Sequence, residues 1–198
     1  QIAVGTDTIS IANTGVPYEE SVTLDRPNLA GVAAYPLIIE GNGAVMRGLK
    51  RLPSDVWRRV GEGTYRYQPY RKAHYQLMVN GTPAQEVPAD STADAPPALE
   101  PLQWCAFHGF VYFRVEPKRY IDQYEFEAPL YEVGLGLHHA RNVIVRNLNV
   151  EGFRLDGIAV TGNSRNVRLV NVRSTLNGRA GLSVSGTSRV EVGGLDLA

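Results

Sequence analysis

Three stretches toward the C-terminal end of the chain share one spelling of apolar and polar positions. Gly134 opens GLGLHHARNVIVRNLNVEGFR, Gly157 opens GIAVTGNSRNVRLVNVRSTLNGR and Gly181 opens GLSVSGTSRVEVGGLDLA, at spacings of 23 and 24 residues. Val143, Val167 and Val190 recur at the matching place, and Asn147 and Asn171 align with Gly194. Within each stretch aliphatic residues alternate with polar ones at a period of two, the period of strands rather than of a helix. The pattern predicts three short strands per repeat. Leu135/Leu137, Ile158/Val160 and Leu182/Val184 point inward from the first strand. Val143/Val145, Val167/Leu169 and Val190/Val192 do so from the second, and Leu148/Val150, Val172 and Leu195/Leu197 from the third. Asn147 and Asn171 fall at the bend between the second and third strands, where a residue in the left-handed conformation is needed and where one Asn can hydrogen-bond its copy in the next repeat. Gly194 meets the same backbone need without a side chain. One repeat buries too little apolar surface to offset the entropy of ordering its backbone, so the unit must stack on neighbours.

Between Lys50 and Ala128 the period vanishes and most of the aromatic residues of the chain appear. Alternation at Tyr65 to Tyr67, Gln76 to Val79 and Val111 to Val115 predicts strands, with Asn80-Gly81 a hairpin turn. Residues 88–101 read as a mobile surface loop. The expected organisation is therefore repeats over 1–49, an inserted antiparallel aromatic lobe over 50–128, and repeats over 129–198. The chain stops directly after a third strand, which leads us to expect either a fragment of a longer protein with incomplete repeats, or self-association through an open C-terminal edge.

The beginning of the chain carries a resemblance. Thr6-Asp7-Thr8-Ile9, Tyr18 through Val22 and Pro36 through Gly41 resemble the opening rungs of right-handed parallel β-helix proteins of the pectin-lyase-like superfamily. With residues 130–198 the resemblance covers rather more than half of the chain. It implies an all-β fold, a right-handed single-stranded parallel β-helix with an inserted antiparallel β lobe. Trp and Tyr strands followed by a Val-Asn-Gly-like hairpin and a Trp strand also resemble the insertions of glycoside-hydrolase-like members, which implies carbohydrate-active ancestry. The expected location is secreted or periplasmic, and the expected partner is a polysaccharide or oligosaccharide.

Composition narrows the partners. Twenty Lys and Arg balance twenty Asp and Glu, so no global field gathers a polyanion and nucleic acid is excluded as the expected partner. No apolar run approaches the roughly 20 residues that span a bilayer, so no membrane partner is expected. The single cysteine, Cys105, rules out an internal disulfide and reads as a small buried hydrophobe.

Candidate chemistry follows from the outward columns of the first strand: Gly136, Ala159 and Ser183, then His138, Thr161 and Ser185. A glycoside hydrolase needs two carboxyls, roughly 5–5.5 Å apart for retention or 6.5–9.5 Å for inversion. Asp156, just before the first strand, is the leading catalytic candidate, with Glu132 and Glu151 as partners; the alternative is that Asp156 caps its own turn. His138 is a candidate for acid–base work, and His139 for substrate binding. The second activity the resemblance implies, a polysaccharide lyase, commonly uses Arg as base, which singles out Arg154 as catalytic and Arg179 as substrate-binding. Such lyases often use Ca²⁺, but no Asp/Glu cluster here supplies its oxygen ligands. No cofactor and no metal ligands are expected, with Ca²⁺ entering only for a lyase. Trp57, Tyr65 and His108 are candidates for an aromatic wall against a sugar ring, set against packing in the lobe core. Glycoside hydrolase is thus the first reading and polysaccharide lyase the second, with a non-catalytic glycan-binding or structural β-helix the third.

Overall fold

The computed structural model describes residues 7–25 and 31–197. Expectations for Thr6 and for residues 26–30 lie outside the described residues. The chain divides into two compact units: residues 1–49 with 130–198, and residues 50–129. The described residues are strands, turns and short 3₁₀ segments with no α-helix.

The first unit is built from parallel strands in two sheets. One sheet holds Val22–Leu24, Val133–His138, Asp156–Thr161 and Ala180–Val184 side by side. Its register aligns Val22, Leu135, Ile158 and Leu182, so each repeat lays its aliphatics directly over those of the last. The second sheet carries Thr8–Ser10, Leu37–Glu40, Arg141–Arg146, Arg165–Thr175 and Val190–Leu197, together with Asn149–Glu151 and Val45–Arg47.

Here the structure differs from the expected three strands per repeat. Arg165–Thr175 runs unbroken, pairing with Arg141–Arg146 along its first half and Asn149–Glu151 along its second. The bend at Asn171 changes direction while both flanking segments keep their bonds to neighbouring repeats. Asn147, Asn171 and Gly194 have φ of 54°, 52° and 74°, the left-handed region expected of them. Asn171 Nδ2 donates to Asn147 Oδ1 at 2.7 Å. A second ladder, not read from the sequence, joins Asn166 Nδ2 to Asn142 Oδ1 at 2.9 Å, again from left-handed residues.

Val143, Val145, Ile158, Val160, Val167 and Leu169 are wholly buried between the sheets. Burial thins toward the last repeat, where Val184, Val192 and Leu197 are 46%, 49% and 50% exposed. Val184 and Val192 nevertheless keep the register of the expected inward columns, paired with the buried Val160 and Leu169.

The second unit has its own aromatic core. Antiparallel strands Arg58–Gly61, Thr64–Tyr67, Phe110–Arg114 and Gln103–Phe107 form its main sheet. Trp57, Tyr65, Tyr67, Trp104, Phe113 and Phe126 pack together, with Phe113 and Phe126 edge-to-face at 5.0 Å. Asn80 and Gly81, both at positive φ, close the predicted hairpin between Met78–Val79 and Thr82–Pro83. Residues 88–101 form no strand, yet Leu99 is buried against Cys105, Phe107 and Tyr112. Burial pushes the Cys105 thiol up to about 11, with the Glu86 carboxylate adding to the shift, so the thiol is an inert core group.

The asparagine ladder yields a test. Asn171→Ala puts a Cβ residue with no turn-forming side chain into a left-handed site and breaks the bond to Asn147. We expect a loss of about 2 kcal/mol in chemical denaturation. Asn171→Gly keeps the backbone preference and is expected to lose less than half as much.

Candidate functional site

The register of the first sheet creates outward columns one strand spacing apart. Thr23, Gly136, Ala159 and Ser183 form one; His138 and Thr161 pair in the next. An added Cβ at Gly136 would lie 2.8 Å from Thr23 Oγ1, so the first column is closely stacked as well as small.

At the start of these strands lies Asp156, only 1% exposed. Arg179 Nε donates to its Oδ1 at 2.9 Å and Nη2 to its Oδ2 at 2.5 Å, a fork against a carboxylate. Ser183 Oγ donates to Oδ2 at 2.7 Å. These bonds run to the next repeat, not along the Asp156 turn. The carboxylate in turn holds the Arg179 guanidinium further above its usual range, first through the hydrogen bond and then through charge. Asp156 thus has a cation in reach, but both oxygens are occupied and its surface is covered. A general acid must reach the glycosidic oxygen, and this carboxyl does not present itself to one.

Arg154, 9% exposed, donates to Glu132. Glu151 pairs with Arg47 at 3.3 Å. Each acid expected beside Asp156 therefore has an arginine of its own.

His138 and His139 lie at the other end of the strand. Asp156 pairs with Val133, five residues before His138, which puts roughly 16 Å of strand between the two candidate catalytic groups. Nδ1 of His138 is 2.7 Å from Thr161 Oγ1. The rings of His138 and His139 meet edge-on at 3.9 Å between centroids.

The aromatic candidates belong to the second unit. Trp57 is 4% exposed, with its ring faces taken up by Tyr67 at 4.7 Å and Phe126 at 4.7 Å. Tyr65 is buried in the same core. The packing alternative describes both residues, since each is buried in that core. His108 is exposed, stacked on Phe107 at 3.9 Å, with Nε2 3.3 Å from the Ser91 carbonyl oxygen.

The structure adds a site that sequence reasoning missed. A groove of about 760 Å³ follows the asparagine bend, lined by Glu40, Asn42, Asn147, Asn149, Asn171, Arg173 and Asp196 among others. Glu40 accepts from Asn147 Nδ2 at 2.9 Å, from the Asn42 backbone at 3.1 Å and from Arg146 Nε at 2.5 Å. These donors, Asn147 first, hold its carboxyl below the usual carboxylate range. Arg173 and Asp196 face each other at 3.3 Å, both more than half exposed. The alignment of Asn147 with Asn171 was the available signal, and the bend accounted for it without calling for a groove.

No family model matches the chain, and no curated protein matches it. A solved structure of XylC in complex with xylose is similar over 96% of this chain and 53% of that one, at 10% identity and a TM-score of 0.47. This chain thus spans about half of that one, and at such similarity its function has to be argued from its own residues.

Two outcomes test the site. Arg179→Ala strands a buried carboxylate and should cost about 3 kcal/mol in denaturant unfolding, whereas Asp156→Asn leaves a half-exposed guanidinium that water can solvate, and should cost about half that. Because the folded state lowers the Glu40 pKa, its contribution is fully present above the unfolded value of 4.5 and is lost as pH falls through the folded value. Melting temperatures of the native protein and Glu40→Gln are therefore expected to converge as the pH is lowered below 4.5.

Proposed function

We propose that the repeat-built unit is a right-handed parallel β-helix that binds an oligosaccharide or polysaccharide in the groove along its asparagine bend, as part of a carbohydrate-active protein that is secreted or periplasmic. The observation that carries this reading is the groove itself. It is a concavity of about 760 Å³, and amide, carboxylate and guanidinium groups line it. Such groups donate to and accept from sugar hydroxyls, and a balanced net charge leaves a glycan to be held by local contacts of this kind.

The dimensions favour a chain over a single sugar. Glu40 stands in the strand next to Arg141–Arg146, Asn171 in the following one and Asp196 in the one after, so the groove crosses four strands. At roughly 4.8 Å per step this is about 14 Å, the length of a short oligosaccharide lying across the repeats.

The same distance bears on chemistry. Glu40 and Asp196 stand about three strand spacings, or ~14 Å, apart, beyond the roughly 5–9.5 Å over which two carboxyls cooperate in glycoside hydrolysis. Asp156 is covered by Arg179 and Ser183. Saccharide binding is therefore what these residues support best; the hydrolase reading would need two carboxyls closer together than Glu40 and Asp196 stand.

The test is a binding screen of the protein against neutral and acidic polysaccharides, with reducing ends and unsaturated products read in the same samples. We expect saturable binding to at least one glycan without new reducing ends. Arg173 is exposed and its ion pair with Asp196 is worth little to the fold, so Arg173→Ala should leave the melting temperature unchanged while weakening binding about tenfold. Absence of binding across the panel, or full affinity in Arg173→Ala, would sink the proposal. Product release would replace binding with catalysis.

A further inference from the structure

The end of the first sheet gathers three metal-ligating side chains that the saccharide reading does not use. Leu24 pairs with Leu137, which brings Asp25, the next residue, beside His138. On its other side His138 pairs with Thr161. One carboxylate oxygen of Asp25 and one ring nitrogen each from His138 and His139 lie within 4.8 Å of one another.

Consecutive residues of a strand point to opposite faces, so His138 and His139 would ordinarily diverge. They converge because His139 leaves the strand with φ of 53°. The matching positions of the next two repeats are Gly162 and Gly186, at φ of 77° and 71°. The turn thus takes a left-handed residue in three successive repeats, and His139 meets that need with an imidazole where the next two repeats have the unstrained glycine. Gly162 also provides the room: a Cβ there would lie 2.9 Å from Cδ2 and Nε2 of His139 and 3.2 Å from Cε1 of His138.

The orientation of His138 is set from behind. Its Nδ1 is 2.7 Å from the Thr161 hydroxyl. With the proton on Nδ1 donated to that oxygen, Nε2 carries the lone pair for a ligand, the arrangement by which outer groups orient metal-bound histidines.

We propose that Asp25, His138 and His139 bind one divalent transition-metal ion of the zinc class, with a coordination position left open to solvent. Two imidazoles and one carboxylate suit Zn²⁺ and its neighbours, whereas Ca²⁺ takes six to eight oxygens and would find one side-chain carboxylate here. Ligands about 2.0–2.2 Å from a tetrahedral ion stand roughly 3.5 Å apart, so side-chain rotations of about an ångström close the site. Asp25 and His139 are exposed, which keeps the ion in contact with water or an incoming ligand. The site departs from the expectation of no metal ligands, and it stands independently of the saccharide groove.

The experiment is a Zn²⁺ titration of the chelator-treated protein by calorimetry, with Co²⁺ absorption reporting the ligand set and melting temperature reporting the fold. We expect saturable binding at one ion per chain, a rise in melting temperature with Zn²⁺, and no competition from Ca²⁺. His139→Asn tolerates the left-handed backbone, and Asp25→Asn alters an exposed position, so both should fold while weakening Zn²⁺ binding at least tenfold. Thr161→Val should weaken it several-fold without changing the stoichiometry. His74→Asn/His108→Asn, which removes the other two histidines, should bind as the native protein does. No saturable binding, binding undiminished in His139→Asn and Asp25→Asn, or loss of binding in the His74/His108 variant would overturn the proposal.

Discussion

Everything in the repeat-built unit depends on parallel hydrogen bonding from each repeat to the next at constant register. A strand of three to six residues has one aliphatic face and two unpaired edges, and it cannot bury or satisfy either alone. Aligning Leu135, Ile158 and Leu182 in one column and Val143, Val167 and Val190 in another does both at once. The sheets therefore consist of columns, and every position in a repeat inherits a neighbour about 4.8 Å above and below.

That constraint also sets the chemistry. Where a column holds like residues it is structural, as with the Asn147–Asn171 bond at the bend. Where it holds unlike residues it makes a local device: Asp25, His138 and Thr161 across three strands, or Asp156 taking its arginine and serine from the following repeat. The bend that the asparagines permit turns the second sheet and leaves a groove along the corner, whose polar lining comes from residues serving the turn. The aromatic unit obeys a different rule, packing the Trp57 ring at a tilt against Phe113 and Phe126, which meet edge to face, around a core of its own.

The legibility of particular residues follows from how far away their partners are. Asn171 could be read because left-handed tolerance is a property of the residue itself and its copy sits one period away. Asn80-Gly81 could be read for the same local reason. Asp156 could not: Arg179 lies 23 residues on, and whether its carboxylate faces a substrate or a guanidinium is settled by which side chain the register brings over it. Trp57 and Tyr65 have the alternation of a strand, but alternation does not tell which face meets the core. Asp25 drew no notice, since it stands in no motif with His138 and becomes its neighbour only through pairing across 113 residues of chain.

By itself, then, the sequence determined the class of structure: strands rather than helices, a period of 23 to 24 residues, the bends at asparagine and glycine, and a separate aromatic insertion. These depend on side-chain periodicity and on backbone preferences that act within a few residues. Only the tertiary structure decided which polar groups are spent on holding repeats together and which remain open to a ligand. Pairing in register brings together residues far apart in the chain, and no local preference specifies which of them will meet.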